Sequence, residues 1–306
     1  GDLTHVPFEA LPLDGATFMI DHYRLSYLAV GRGLARTRPS EAGSSSPVVV
    51  ADPDSDLAAE PPPQLLTDAS AGPFSPLPNT MDEGVIIAGL LQVPCLAGPE
   101  ALKSTVLALQ GPRILHLATH GYVAALDPTV PSDVLDMARP YGPDPRARFG
   151  RLANPLLRSG IALAGANSWL NGHTPPADAG NGLLSAEEMT GLDLIGTELV
   201  VLSACETGLG VIHADEGVLG LRRSTVIAGA QTLVMSLWPV SDPATAELMS
   251  VFYRRLVHGE ARSDALRDAQ LAVRETNPHP WFWGAFICQG DWRPLPASGN
   301  TGSPHQ

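Results

Sequence analysis

The sequence predicts an α/β fold built on a mostly parallel sheet, and three observations carry that expectation. Two near-continuously apolar runs, Arg113–Gly121 and Glu198–Gly208, read as buried strands of a parallel sheet, each closed by a glycine. Strand-like and helix-like segments alternate through the second half of the chain, as expected when helices cover both faces of such a sheet. The 306 residues are 44% hydrophobic, enough for one large core or two lobes sharing a sheet.

In chain order, residues 3–8, 17–20 and 25–28 are strand candidates, rich in β-branched and aromatic residues. Residues 36–46 read as a loop, and Val48–Asp52 as a compact buried strand. Residues 53–80 are proline-rich and low in hydrophobicity, which predicts a mobile insertion. Helices are expected over Glu83–Leu91 and Pro99–Leu109, with Pro99 suited to a first turn. After the first apolar run, residues 122–182 hold many prolines and glycines around one apolar island at Ile161–Ala164. Ser185-Ala186-Glu187-Glu188 matches a capping box and so starts a short helix. Beyond the second run come a helix at 217–228, a strand at 230–237 and an amphipathic helix at 243–258. A helix capped by Ser263 runs to Thr276, then a last strand spans Trp283–Cys288, and the tail from Pro294 is polar. The expected organisation is an N-terminal lobe at 1–110, a second lobe at 111–293 and a disordered tail at 294–306.

The formal net charge of −13 argues against general nucleic-acid binding, because an acidic chain repels phosphate backbones. There is no apolar run of membrane-spanning length and no secretory pattern. The three cysteines, Cys95, Cys205 and Cys288, have no regular spacing, which suits a reducing cytosol and not a disulfide framework. The chain opens at Gly1-Asp2-Leu3 without a methionine, so further upstream sequence is expected.

The chemistry concentrates at the ends of the two apolar runs. Ligands in open α/β sheets bind outside the carboxyl ends of strands. A lone cysteine on an apolar strand is usually structural, but Cys205 follows the small residues Ser203 and Ala204 and precedes Glu206-Thr207-Gly208-Leu209-Gly210, which reads as a flexible loop. Cys95 and Cys288 lack that context. His120, before Gly121, is the candidate acid/base partner of a Cys205 nucleophile; its bland alternative is an ordinary buried histidine. His116 shares its sheet face and suits a supporting hydrogen bond, since Leu117 stands where a metalloprotease helix would need glutamate; no metal or cofactor is expected.

His116-Leu117-Ala118-Thr119-His120-Gly121 and Leu202-Ser203-Ala204-Cys205-Glu206-Thr207-Gly208 resemble the signature blocks of CHAT domains, bacterial modules of the caspase–gingipain–separase cysteine peptidase clan. Val6–Pro12, Asn154–Gly160, Gly182–Glu188, Glu216–Arg223 and Ser236–Asp242 resemble further blocks in the same order. The resemblance implies a caspase-like three-layer α/β/α sandwich, peptide-bond hydrolysis, and His120 and Cys205 as the catalytic dyad. It implies backbone N–H groups of Gly121 and Cys205 as an oxyanion hole, with a carbonyl or Glu206 to orient His120. Asp242, with Ser236 and Trp238 of the same block, is then a substrate-binding candidate: it resembles an aspartate that receives a basic P1 side chain in separases. Alternatively, Asp242 simply caps the helix that starts at Pro243. The implied partners are a protein or peptide substrate and a fused or separate sensing region of tetratricopeptide type, in a bacterial cytoplasm. The competing functions are a non-catalytic interaction scaffold that retains the dyad, and another thiol-dependent hydrolase or acyltransferase on the same sheet.

Overall fold

A computed structural model describes residues 6–15, 17–28, 45–59, 72–124, 155–209 and 214–296, with backbone alone at 124, 155, 204–209 and 214–218. The strands are β1 (Val48–Pro53), β2 (Cys95–Gly98), β3 (Ile114–Ala124), β4 (Ser159–Ala162), β5 (Leu183–Ser185), β6 (Leu199–Leu209), β7 (Thr232–Ser236) and β8 (Phe286–Gly290). The helices are α1 (Met19–His22), α2 (Pro78–Leu91), α3 (Lys103–Leu107), α4 (Pro155–Arg158), α5 (Ala166–Leu170), α6 (Ala186–Thr190), α7 (Ala214–Ala228), α8 (Asp242–Val257), α9 (Arg262–Thr276) and α10 (Pro280–Trp283). No helix among the described residues is long and apolar enough to cross a membrane.

The sheet runs β2-β1-β3-β6-β7-β8, with β4 and β5 continuing from β3. Its centre is parallel, while β8, β4 and β5 pair antiparallel. Strand alternation sends successive side chains to opposite faces, and each face is covered by helices. Val49, Val201, Val234 and Phe286 pack with Ile87 of α2, Leu248 and Phe252 of α8, and Ala269 of α9. Val50, Leu115, Val200 and Leu233 pack on the other face with Val106 of α3, Met189 of α6 and Leu221 of α7. The result is the expected three-layer α/β/α sandwich, and β1 and β2 of the N-terminal part belong to the same sheet as β3 and β6.

Local chemistry explains both agreements and departures. The capping box forms: Ser185 Oγ accepts the Glu188 N–H at 3.2 Å, and a Glu188 carboxylate oxygen accepts the Ser185 N–H at 3.0 Å. The other Glu188 oxygen meets Lys103 Nζ at 2.7 Å, and Nζ also donates to Asn181 Oδ1 at 2.9 Å, so this buried lysine ties α3 to the β5–α6 turn. Residues 19–22 are helical and not strand, because the Asp21 carboxylate accepts the Phe18 N–H at 2.9 Å and turns the chain. Tyr27 makes only a bridge to Gln289. The helix expected from Ser263 begins at Arg262 without a side-chain cap; the carbonyls of Arg293 and Trp292 accept its first free N–H groups at 3.4 and 3.3 Å. Trp283 lies in α10, whose first turn has Pro280 and a His279 ring nitrogen that accepts the Trp281 N–H, so the last strand starts later, at Phe286.

Two departures bear on function. Of the segment expected to be a mobile insertion, 60–71 lies outside the described residues, but residues 72–77 form an ordered strap in which Phe74 is only 1% exposed. In addition, β3 and β6 do not end at His120 and Cys205; each continues four residues further. The two strands satisfy one another's backbone groups over the whole length, and β4 adds to β3 at Gly121–Val123, so there is no reason for either to fray at the expected tip.

α2 approaches β1 closely at Gly84, where a Cβ would lie 2.3 Å from Ala51 Cβ and 2.9 Å from Cys95 Sγ. Gly84→Ala should therefore destabilise the fold by about 1–3 kcal/mol through overpacking. Gly89→Ala in the same helix, where a Cβ meets nothing within 4 Å, should stabilise it by up to about 1 kcal/mol. Chemical denaturation of the two variants checks the opposite signs.

Candidate active site

The site is built by strand register. β1 pairs with β3 only as far as Ala118, and β7 pairs with β6 only as far as Leu202. His120 and Cys205 come just beyond those limits, where β1 and β7 no longer flank the central strands, and are direct register partners across the β3–β6 ladder. Cys205 is the next position of the row Leu199, Val201, Ser203. Gly121 lies between Glu206 on one side and Ile161 on the other.

His120 is 6% exposed, and its Nε2 lies 2.6 Å from the Ser75 carbonyl oxygen. A carbonyl can only accept, so Nε2 carries the hydrogen and Nδ1 is the unprotonated nitrogen of the neutral ring. Phe74 packs against the imidazole at 5.6 Å between ring centroids. Burial holds the His120 pKa below its ordinary 6.5, while the Ser75 carbonyl and the carboxylates of Asp242 and Asp52 pull it back up.

A cavity of about 230 Å³ opens beside the imidazole. Ser75 and Leu77 of the strap, Thr80 and Glu83 of α2, and Thr119, His120 and Ser203 of the two central strands line it. Pro239 and Val240 complete the wall with Asp242 and Thr245 of α8. Asp242 is the first residue of α8, with Ser241 at the cap position, so its half-buried carboxyl faces the cavity instead of capping the helix. Burial raises its pKa and the nearby Glu83 raises it further, whereas His120 opposes both. Ser236 and Trp238 are not among the lining residues: Ser236 ends β7, and Trp238 stacks on Trp281 and donates its indole N–H to the Trp281 carbonyl at 3.0 Å.

His116 sits on the same face as His120, four residues earlier along β3. Its Nε2 lies 3.0 Å from Glu83 Oε1 and its Nδ1 3.1 Å from the Tyr253 hydroxyl, and all three residues are at most 1% exposed. His116 thus makes a buried hydrogen bond to Tyr253 and places a second carboxylate, Glu83, at the cavity. Glu83, Ser75 and Thr245 were not legible as site residues. Glu83 carried one signal, an acidic residue in the buried half of an apolar helix; Ser75 contributes only backbone, and Thr245 is an ordinary helix position. Burial pushes the Cys288 thiol up to about 12, and the partly buried Cys95 is raised as well, which disfavours the thiolate of either.

Tetratricopeptide repeat protein 28 of Homo sapiens is 28% identical over 228 residues, which is 71% of this chain but 8% of that protein. Its Mus musculus counterpart is 28% identical over 222 residues, again 71% of this chain and 9% of the relative. The chain thus corresponds to less than a tenth of the length of either relative. Among solved structures, the Arg specific cysteine proteinase gingipain R superposes with a TM-score of 0.48 at 10% identity, covering 86% of this chain and 52% of that one. The complex of Porphyromonas gingivalis RgpB pro- and mature domains gives 0.45 at 12% identity, covering 90% and 52%. A family model, CHAT domain, matches residues 1–291, and with nearly its whole length matched the chain belongs to the CHAT domain family.

Proposed function

We propose that this chain is a cysteine endopeptidase module in which Cys205 is the nucleophile and His120 the acid/base. The observation that carries the reading is the register pairing of these two residues where β1 and β7 no longer flank the central strands, beside a cavity with acidic walls. His120 Nδ1 takes the Cys205 thiol proton, and the thiolate attacks the scissile carbonyl carbon, forming a C–S bond and moving an electron pair onto the carbonyl oxygen. Backbone N–H groups of Gly121 and Cys205 are the donors proposed for that oxyanion; losing one such donor typically costs about 10²–10³ in rate. Collapse breaks the C–N bond, and His120 gives its proton to the departing amine. Water then adds to the acyl-enzyme, His120 takes its proton, and the C–S bond breaks to release the acid and regenerate the thiolate. With Nε2 held by the Ser75 carbonyl, Nδ1 is the nitrogen that moves the proton.

The cavity supports a basic side chain as its occupant. Asp242 supplies a carboxylate on the wall, and Glu83 a second one held by His116. A guanidinium or ammonium group entering from water would replace its hydration with these acceptors. The tetratricopeptide repeat proteins related to this chain support a sensing region as its regulatory partner.

A thiol-reactive peptide probe ending in arginine should label the wild-type chain at Cys205 and leave Cys205→Ala unlabelled. His120→Ala should lower kcat/KM by about 10²–10⁴-fold on a peptide library. Absence of both labelling and turnover in the wild type would leave the interaction-scaffold reading in its place.

Asp242→Asn should reduce the preference for a basic over a neutral P1 residue at least about tenfold, the loss of one charge-assisted bond. An unchanged P1 profile would remove Asp242 from the pocket.

The pH behaviour follows from burial of the imidazole. The NMR titration midpoint of His120 should lie below 6.5, and lower still in Asp242→Asn, which loses a charge that favours the imidazolium. Because the unfolded chain binds this proton first as pH falls, the group's contribution to stability is lost between 6.5 and the folded midpoint.

A further inference from the structure

The strap at 72–77 delivers the Ser75 carbonyl to His120, and it is held at two points. At one end, the Asn167 side chain takes both backbone groups of Phe74. The Phe74 N–H donates to Oδ1 at 3.1 Å, and Nδ2 donates to the Phe74 carbonyl at 2.8 Å. A primary amide that pairs with a peptide unit in this way acts as a one-residue strand partner. At the other end, the Leu77 backbone N–H faces the Asp52 carboxylate and favours its charged form. Ser75 lies between the two points.

Asn167 is itself fixed. It is 0% exposed, its backbone N–H donates to the Ser55 carbonyl at 2.8 Å, and Nδ2 also donates to Asp56 Oδ1 at 3.0 Å. Its neighbour Ser168 donates to the Asp56 carbonyl at 2.7 Å. The strap is also shaped to the amide: a Cβ on Gly72 would lie 2.1 Å from Asn167 Oδ1, so only glycine lets the chain pass. A buried amide with both ends satisfied and a glycine cut to fit it is a costly arrangement for a surface connection, and the group it locates is the carbonyl on the imidazole.

We propose that Asn167 is a positioning residue for His120: by clamping the Phe74 backbone it fixes the strap, and with it the Ser75 carbonyl that sets the tautomer and orientation of the imidazole. The inference rests on the reading of His120 as the acid/base, and its test is chosen to be separable from that reading. Releasing the clamp lets the strap leave the ring, which removes burial, the larger influence on the imidazole, together with the carbonyl bond, the smaller one. The other charged groups facing the site, Asp52, Asp242 and Glu83, remain in place.

The test follows the His120 titration by NMR in Asn167→Asp, Asn167→Ala and Gly72→Ala, with kcat and KM measured on the same samples. Asn167→Asp keeps the shape but turns an oxygen toward the Phe74 carbonyl and Asp56; Gly72→Ala loosens the same contact from the strap side, so the effect does not depend on one variant folding. Val273→Ala, in the core on α9, serves as the control for general loss of stability. The expected result is a His120 midpoint raised toward 6.5 and kcat lowered about 10–100-fold with KM little changed in the clamp variants, and neither change in the control. An unmoved midpoint in the folded clamp variants, or an equal shift in the control, would overturn the proposal. If the midpoint moves as expected while the wild type turns over no peptide, the clamp stands and the peptidase reading falls.

Discussion

The parallel ladder between β3 and β6 is the constraint on which the site depends. It pairs eleven residues of each strand without a bulge, so a single register choice puts position 120 beside position 205. A shift by one residue would exchange the faces of every side chain on one strand and bury polar groups in the apolar layers. The register is therefore enforced by Leu115, Leu117, Val200 and Leu202 on one face and by Ile114, Leu199 and Val201 on the other. The hydrophobic core thus fixes the backbone register that sets His120 beside Cys205. The flanking strands stop earlier, which opens the edge of the sheet where the two residues emerge.

Around that edge the structure gathers charge in a poorly solvated space. Two carboxylates, two histidines and a tyrosine lie on the face covered by α2 and α8. Three contacts organise the deep polar groups: Tyr253 with His116, His116 with Glu83, and His120 with Ser75. Electrostatic interactions in such a place are stronger than in water, and unpaired groups are correspondingly costly. Gly84 lets α2 sit close to β1 and brings Glu83 to the cavity, so packing at a small residue sets the position of a charge one residue away.

The sequence carried the central strands, their mostly parallel pairing and the positions of His120 and Cys205 on them, because apolar runs of β-branched and leucine residues leave little choice of structure. It also carried the capping box at Ser185 and the placement of His116 beside His120, both of which follow from fixed spacings. It did not carry the strap. Residues 72–77 owe their order to Asn167 and Asp52, contacts that no local pattern announces, and their proline content reads as disorder when taken alone. The lengths of β3 and β6 were also hidden: glycines at 121 and 208 look like stops, but pairing with each other and with β4 outweighs them. Backbone groups, such as the Ser75 carbonyl, leave no mark in a sequence at all.

Lys103 is the chain's single lysine, and it is buried against Glu188 and Asn181. Reagents that acylate primary amines therefore meet no freely exposed side-chain target. Such a reagent reaches Lys103 only when α3 separates from the β5–α6 turn, so the rate of acylation reports the frequency of that local opening. Arginine elsewhere keeps its charge and ignores the reagent, and one modified position becomes a clock for the motion of one seam.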